Sequence, residues 1–182
     1  MSRKLVLFII VLILIVAASS FYFATQNEDK QISDKVFNLE KNLVLAQLRR
    51  ITFEDFKNNT SSFFHPYFHS SFFDVIEQQY NEIGHGDIAT VTELPLYEEI
   101  SKVYTSEDKK SKYVFVIISD EHIANLAAYQ YQFIQHEGQW KIRNKKYYTL
   151  SKDMTRPGKD AARFTIFGDK TIEYMHTRIL DK

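Results

Sequence analysis

The stretch YQYQFIQHEGQWKIRNKKY, residues 129–147, decides how the folded part of this chain is read. Tyr129, Tyr131 and Phe133 recur at every second position, and Trp140 and Ile142 resume the same period beyond His136-Glu137-Gly138. A period of two places one face of an extended chain in a core and the other in water, and a glycine between two such runs marks a tight reversal. Residues 129–147 are therefore expected to form two antiparallel strands.

Working outward, EEISKVYT (98–105), KYVFVIIS (112–119), ANLAAYQYQFIQ (124–135) and QWKIRNKKYYTL (139–150) all read as strands. Turn signals at SEDKKS, SDEH and HEG separate them, which predicts an antiparallel meander. DIATVTEL (87–94) reads as extended, SKDMTRPGKDA (151–161) as a loop, and ARFTIFGDKTIEYMHTRI (162–179) as a final hairpin bending at Gly168 and Asp169.

Upstream the period changes. DKVFNLEKNLVLAQLRRI carries apolar residues at 36, 37, 39, 43, 44, 48 and 51, which follows 3.6 and predicts an amphipathic helix over 34–50 with Ser33 as N-cap. Thr52 and Asp55 have capping-box spacing in the turn that follows. In SFFHPYFHSSFF (62–73), Pro66 disfavours helical geometry at His65, and Ser71 with Asp74 predicts a second helix from Phe72 to Ile83, ended by Gly84 or Gly86. Phe64, Tyr67 and Phe68 are expected to wedge the turn between the two helices into the core.

The N-terminus is of a different kind. Arg3 and Lys4 precede an uncharged run over residues 5–25. As a helix it would span about 31 Å at 1.5 Å per residue, close to the hydrocarbon thickness of a bilayer. Ala17, Ala18, Ser19 and Ser20 also resemble the end of a cleavable signal peptide, with a cut near Ala18 or Ser20 as the alternative. Phe21, Tyr22 and Phe23 extend the apolar run with residues favoured at a membrane interface, so an uncleaved anchor is preferred. The expected organisation is a cytoplasmic end at 1–4, a transmembrane anchor at 5–25, a polar linker at 26–33, an α+β domain at 34–150, and a C-terminal loop and hairpin extension at 151–182. Positive charge on the short side places the N-terminus in the cytoplasm and the domain outside it.

Two helices followed by an antiparallel sheet that ends in G-Q-W-K-I resemble the NTF2-like, cystatin-like superfamily, in which helices pack on a curved sheet to form a cone. YQYQFIQ and HEGQWKI carry the resemblance over residues 34–150, and PYFHSSFFDVI resembles the second helix of small exported bacterial members. The resemblance implies a concavity that hosts binding, scaffolding or catalysis in different members. Phe64, Phe68, Phe72, Tyr129, Tyr131 and Trp140 are the candidates for lining such a pocket, with a small apolar ligand or lipid as its occupant. Asp74, Tyr129, Tyr131 and His136 are the groups a small hydrolase, isomerase or dehydratase would use.

Composition narrows the chemistry. The 182 residues are 45% hydrophobic and contain no cysteine, which excludes disulfides, thiolate metal sites, cysteine nucleophiles and a lipoprotein's lipidated cysteine. His65 and His69 would need His85 or Asp74 as a third ligand, and neither spacing suits one metal, so no metal or cofactor is expected. Lys141, Arg143, Lys145 and Lys146 make a basic edge beside Trp140, expected as the wet face of a strand and a candidate contact surface; the inferred location argues against nucleic acid. Residues 26–140 carry ten Lys or Arg against eighteen Asp or Glu, and 141–182 carry eleven against five, so the basic tail is expected to fold back on the acidic body. The sequons at Asn58 and Asn59 carry no weight outside a eukaryotic secretory pathway. The function expected is that of a non-catalytic interaction module, anchored in the membrane and serving an envelope-associated assembly through a protein partner.

Overall fold

The structure is a computed structural model that describes residues 3–82, 97–119, 125–148, 172 and 174–180. The chain divides into two compact units, Met1–Ile32 and Ser33–Lys182. It is α+β, with a long apolar N-terminal helix and a six-stranded antiparallel sheet.

Helix α1 runs from Arg3 to Gln47. The polar stretch 26–33 is part of it, where a linker was expected, and Ser33 is an interior helical residue rather than an N-cap. QNEDKQIS contains neither Gly nor Pro, and Gln, Glu and Lys favour helix; polarity alone does not interrupt one. In the first unit, Ile10 to Val16, Tyr22 and Phe23 are exposed. Among the described residues this is the one helix long and apolar enough to cross a membrane, and a signal sequence has the same properties.

In the second unit, Thr52 caps helix α2 (Phe53–Thr60) with the anticipated capping box: Asp55 N–H donates to the Thr52 hydroxyl and the Asp55 carboxylate accepts from Thr52 N–H, both at 3.0 Å. A 3-10 turn at Ser61–Phe63 leads to helix α3 (Pro66–Glu82). This helix begins six residues before the expected Phe72. Pro66 occupies its first position, where a fixed φ is preorganised and the missing N–H costs nothing. Ser71 does not cap; its hydroxyl donates to the Phe68 carbonyl. The expected ends of this helix at Ile83, Gly84 and Gly86, and the extended segment 87–94, lie outside the described residues.

Strands β1 (Tyr97–Ser101), β2 (Tyr104–Thr105), β3 (Ser111–Ser119), β4 (Asn125–His136), β5 (Gln139–Tyr147) and β6 (Tyr174–Ile179) follow. Their order is β5-β4-β3-β1-β6, with β2 also paired to β3. The expected strand at 98–105 is thus interrupted at 102–103. Glu137 (φ 51°) and Gly138 (φ 72°) form the β4–β5 reversal, both with positive φ as a two-residue hairpin of right-handed twist requires. The SDEH turn largely lies outside the described residues, as do the 151–161 loop and the first arm and bend of the final hairpin. The described second arm, β6, pairs antiparallel with β1.

One sheet face packs against residues 33–47 of α1. Val36, Leu39, Leu43 and Val44 meet a surface that includes Ile100, Val114, Val116, Phe133 and Ile142, all buried. An aromatic knot closes the β5 side. Phe64 stacks on Phe72 at 4.5 Å between ring centres and meets Phe73 edge-on at 5.3 Å, and Phe73 in turn packs on Phe56. Phe64 bridges to Ile142, and His65 N–H donates to the Ile142 carbonyl at 2.8 Å, so these residues cover part of the β5 edge. Because Phe64 is only 4% exposed and keys α3 to the sheet, Phe64→Ala is expected to lower the unfolding free energy by about 3–5 kcal/mol. Denaturant unfolding of the detergent-solubilised full chain measures it; a loss under about 1 kcal/mol contradicts this placement.

Candidate functional site

The alternation that predicts β5 slips inside the strand. Gln132 pairs with Asn144, and Phe133 pairs with Ile142, so Arg143 is an extra residue. This bulge shifts the period by one, leaving Arg143 and Asn144 exposed and returning Lys145 to the inner face. Lys145, expected on the wet face, is buried instead, with 2% of its side chain exposed. Its register partner is Tyr131.

Glu40 meets it from α1. The carboxylate lies in the apolar stripe, four residues after Val36 and four before Val44, and is 2% exposed. Lys145 Nζ donates to Glu40 Oε1 at 2.9 Å, and the Tyr131 hydroxyl donates to the same oxygen. The ammonium also faces three rings: Tyr129 at 3.7 Å, Tyr131 at 5.0 Å and Tyr147 at 5.5 Å from their centres. Tyrosine faces attract cations, most strongly when both are removed from water. Burial lowers the proton affinity of Lys145 while Glu40 and Glu98 oppose that effect. Burial, followed by the Glu40 charge, raises the phenols of Tyr129, Tyr131 and Tyr147.

A second carboxyl completes the cluster. Glu98 of β1 is fully buried, and among the described residues neither carboxyl oxygen has a hydrogen-bond partner. Burial and then Glu40 raise its pKa from an ordinary 4.5 to about 8, against the opposing charges of Arg178 and Lys145. An unpaired buried carboxylate is costly to keep ionised, so Glu98 is mainly a neutral acid at pH 7. The interior therefore holds one ion pair, one neutral carboxylic acid and two buried or half-buried phenols, an arrangement able to bind and release a proton.

The six aromatic pocket candidates do not share one place. Phe64, Phe68 and Phe72 pack on one another. Tyr129 and Tyr131 belong to the lysine cluster, and Trp140 sits at the start of β5 with its ring 4.9 Å from Lys112 Nζ. Lys35 donates to the Trp140 carbonyl at 2.8 Å. A shallow crevice lined by Leu43, Ala46, Gln47, Ile76, Gln79 and Tyr80 contains none of the six. Of the basic candidates, Lys141 donates to the Ser62 carbonyl, while Arg143 and Lys146 are exposed.

The two histidines of the aromatic stretch diverge. The His65 ring meets His136 edge-on at 4.6 Å and its Nδ1 accepts from Tyr67 N–H, whereas the His69 ring packs on Phe73 at 4.7 Å. Burial, then His136 and Arg143, hold the His65 imidazole below its usual range. Asp74 is exposed on α3, so the four acid–base candidates do not converge. No metal-binding group of three or more carboxylate or histidine side chains occurs among the described residues.

Glu40 and Glu98 are absent from the sequence-based candidates. Both had a signal: a carboxylate in register with an apolar helical stripe, and one two residues from Ile100 in a strand. No protein-family model matches this chain, and no curated protein or solved structure matches it.

Removing one member of the buried pair strands the other. Lys145→Met is expected to cost about 3–5 kcal/mol, and Glu40→Met with Lys145→Met distinctly less. Denaturant unfolding of the single and double variants compares them; equal losses would refute the coupling. Glu98 makes stability pH-dependent with a definite sign. Its folded pKa lies above its unfolded value, so its contribution is complete below about pH 4.5 and is lost as pH rises through about 8. Melting curves across that window should show a loss on the order of 3–5 kcal/mol in the native chain. Glu98→Gln should remove most of that slope.

Proposed function

We propose that this chain is a single-pass membrane protein whose second unit acts outside the cytoplasm as a non-catalytic interaction module of a bacterial envelope-associated assembly. The observation that carries this reading is the exposed apolar surface of α1, where side chains from Ile10 to Val16 and at Tyr22 and Phe23 are 46–69% exposed. Such a surface is stable in lipid and unstable in water. Arg3 and Lys4 before it favour a cytoplasmic N-terminus.

The second unit is read as an NTF2-like cone with a C-terminal hairpin extension. Support comes from helices on an antiparallel β3–β4–β5 meander, the tight Glu137-Gly138 reversal before Trp140, and β6 added beside β1. Binding is favoured over catalysis because Glu40, Glu98 and Lys145 are sealed between helix and sheet. A reacting group needs hydrogen-bond reach to its substrate.

The chain has no cysteine, so single cysteines report topology directly. Ser2→Cys and Glu107→Cys variants are treated in intact cells with a membrane-impermeant maleimide. Labelling at 107 but not at 2, with the full chain sedimenting with membranes, is expected. Labelling at 2 alone, or a shortened chain in the soluble fraction, overturns the topology. In-cell crosslinking of the anchored protein tests the assembly; recovery of the chain alone, or with a lipid only, overturns that reading.

A further inference from the structure

Arg178 of β6 has two carboxyl groups within its range. It is bonded to one of them, Asp34 of α1, with Nη2 3.1 Å from Oδ1, and its guanidinium lies 4.7 Å from the centre of the Phe37 ring. The other is Glu98, the direct register partner of Arg178 across the β1–β6 pair. Directly opposed residues project from the same sheet face at close range. Glu98 already senses the Arg178 charge, yet its two oxygens have no hydrogen-bond partner among the described residues.

We propose that Arg178 is the moving part of a proton-controlled switch: it ties β6 to α1 through Asp34 while Glu98 is neutral and turns to Glu98 when that group ionises. The groups facing Glu98 make this the available response. Glu40 of α1, Lys145 of β5 and Arg178 of β6 act on it, and its β3 partner is the apolar Ile118. Lys145 is held by Glu40 at 2.9 Å inside its ring of tyrosines, and Glu40 repels a second negative charge. The phenols are neutral. Among the described residues that act on Glu98, Arg178 is the cation able to change partners at small cost, because Asp34 is 46% exposed and water can replace the lost contact. Loss of a proton inside the unit would thereby loosen the contact between β6 and α1. This inference is independent of the membrane topology and of any partner.

A double-mutant cycle on the full chain in detergent micelles tests it: Asp34→Asn, Arg178→Gln and the pair are unfolded by denaturant at pH 6.5 and at pH 9. The coupling between Asp34 and Arg178 should be about threefold in the unfolding equilibrium constant at pH 6.5 and should fall to none at pH 9, where Arg178 has turned to Glu98. Because the coupling is a difference between variants at one pH, the general loss of stability as Glu98 ionises cancels from it. In a Glu98→Gln background the coupling should be the same at both pH values; should that variant fail to fold, the cycle in the native background decides alone. Coupling of equal size at both pH values in the native background, or a fall that persists with Glu98→Gln, overturns the switch.

Discussion

The second unit depends on one interaction, the ion pair between Glu40 and Lys145 in the layer between α1 and the sheet. Each partner is too costly to bury alone, and together with the Tyr131 hydroxyl they satisfy one another where water does not reach. An apolar helix face slides over an apolar sheet with little penalty. A carboxylate in that face has one acceptable position, opposite the lysine. The pair therefore sets the register of residues 33–47 on the sheet, and the surrounding burial of Val36, Leu39, Leu43 and Val44 supplies the larger apolar stabilisation.

The aromatic knot performs a second task, closing the β5 edge. A strand edge presents unpaired N–H and C=O groups that invite another chain. Here Phe64 and His65 run alongside Ile142 and occupy its carbonyl, while Phe64, Phe72 and Phe73 fill the space behind. Within the aromatic stretch, Phe64, Phe72 and Phe73 are packing material and Tyr67 stands exposed, with Pro66 starting a helix from its midst.

Charge within this layer is arranged by environment rather than by number. Glu40 and Glu98 share the same interior, but one has a lysine and a tyrosine and the other has neither, so one is bonded and the other rests as a neutral acid near pH 7. Arg178 stands at the border of the layer, bonded outward to Asp34 and opposed across the sheet by Glu98.

The α+β class, the β3–β4–β5 meander, the Thr52 cap and the N-terminal apolar helix were legible in the sequence, because periodicity, capping residues and hydropathy are local signals. The continuity of α1 through 26–33 and the start of α3 at Pro66 were misread where local polarity and a local capping pattern competed with helix propensity and the preference of proline for a first turn. The buried cluster was not legible as a whole. Glu40 and Glu98 stood at apolar register positions, but their burial acquires sense only with Lys145, and Lys145 is turned inward by a bulge at Arg143 that changes the period without changing composition. Which residues are extended or helical is written in neighbouring side chains. Which charge meets which is decided by strands and a helix more than 100 residues apart, and only tertiary structure brings those together.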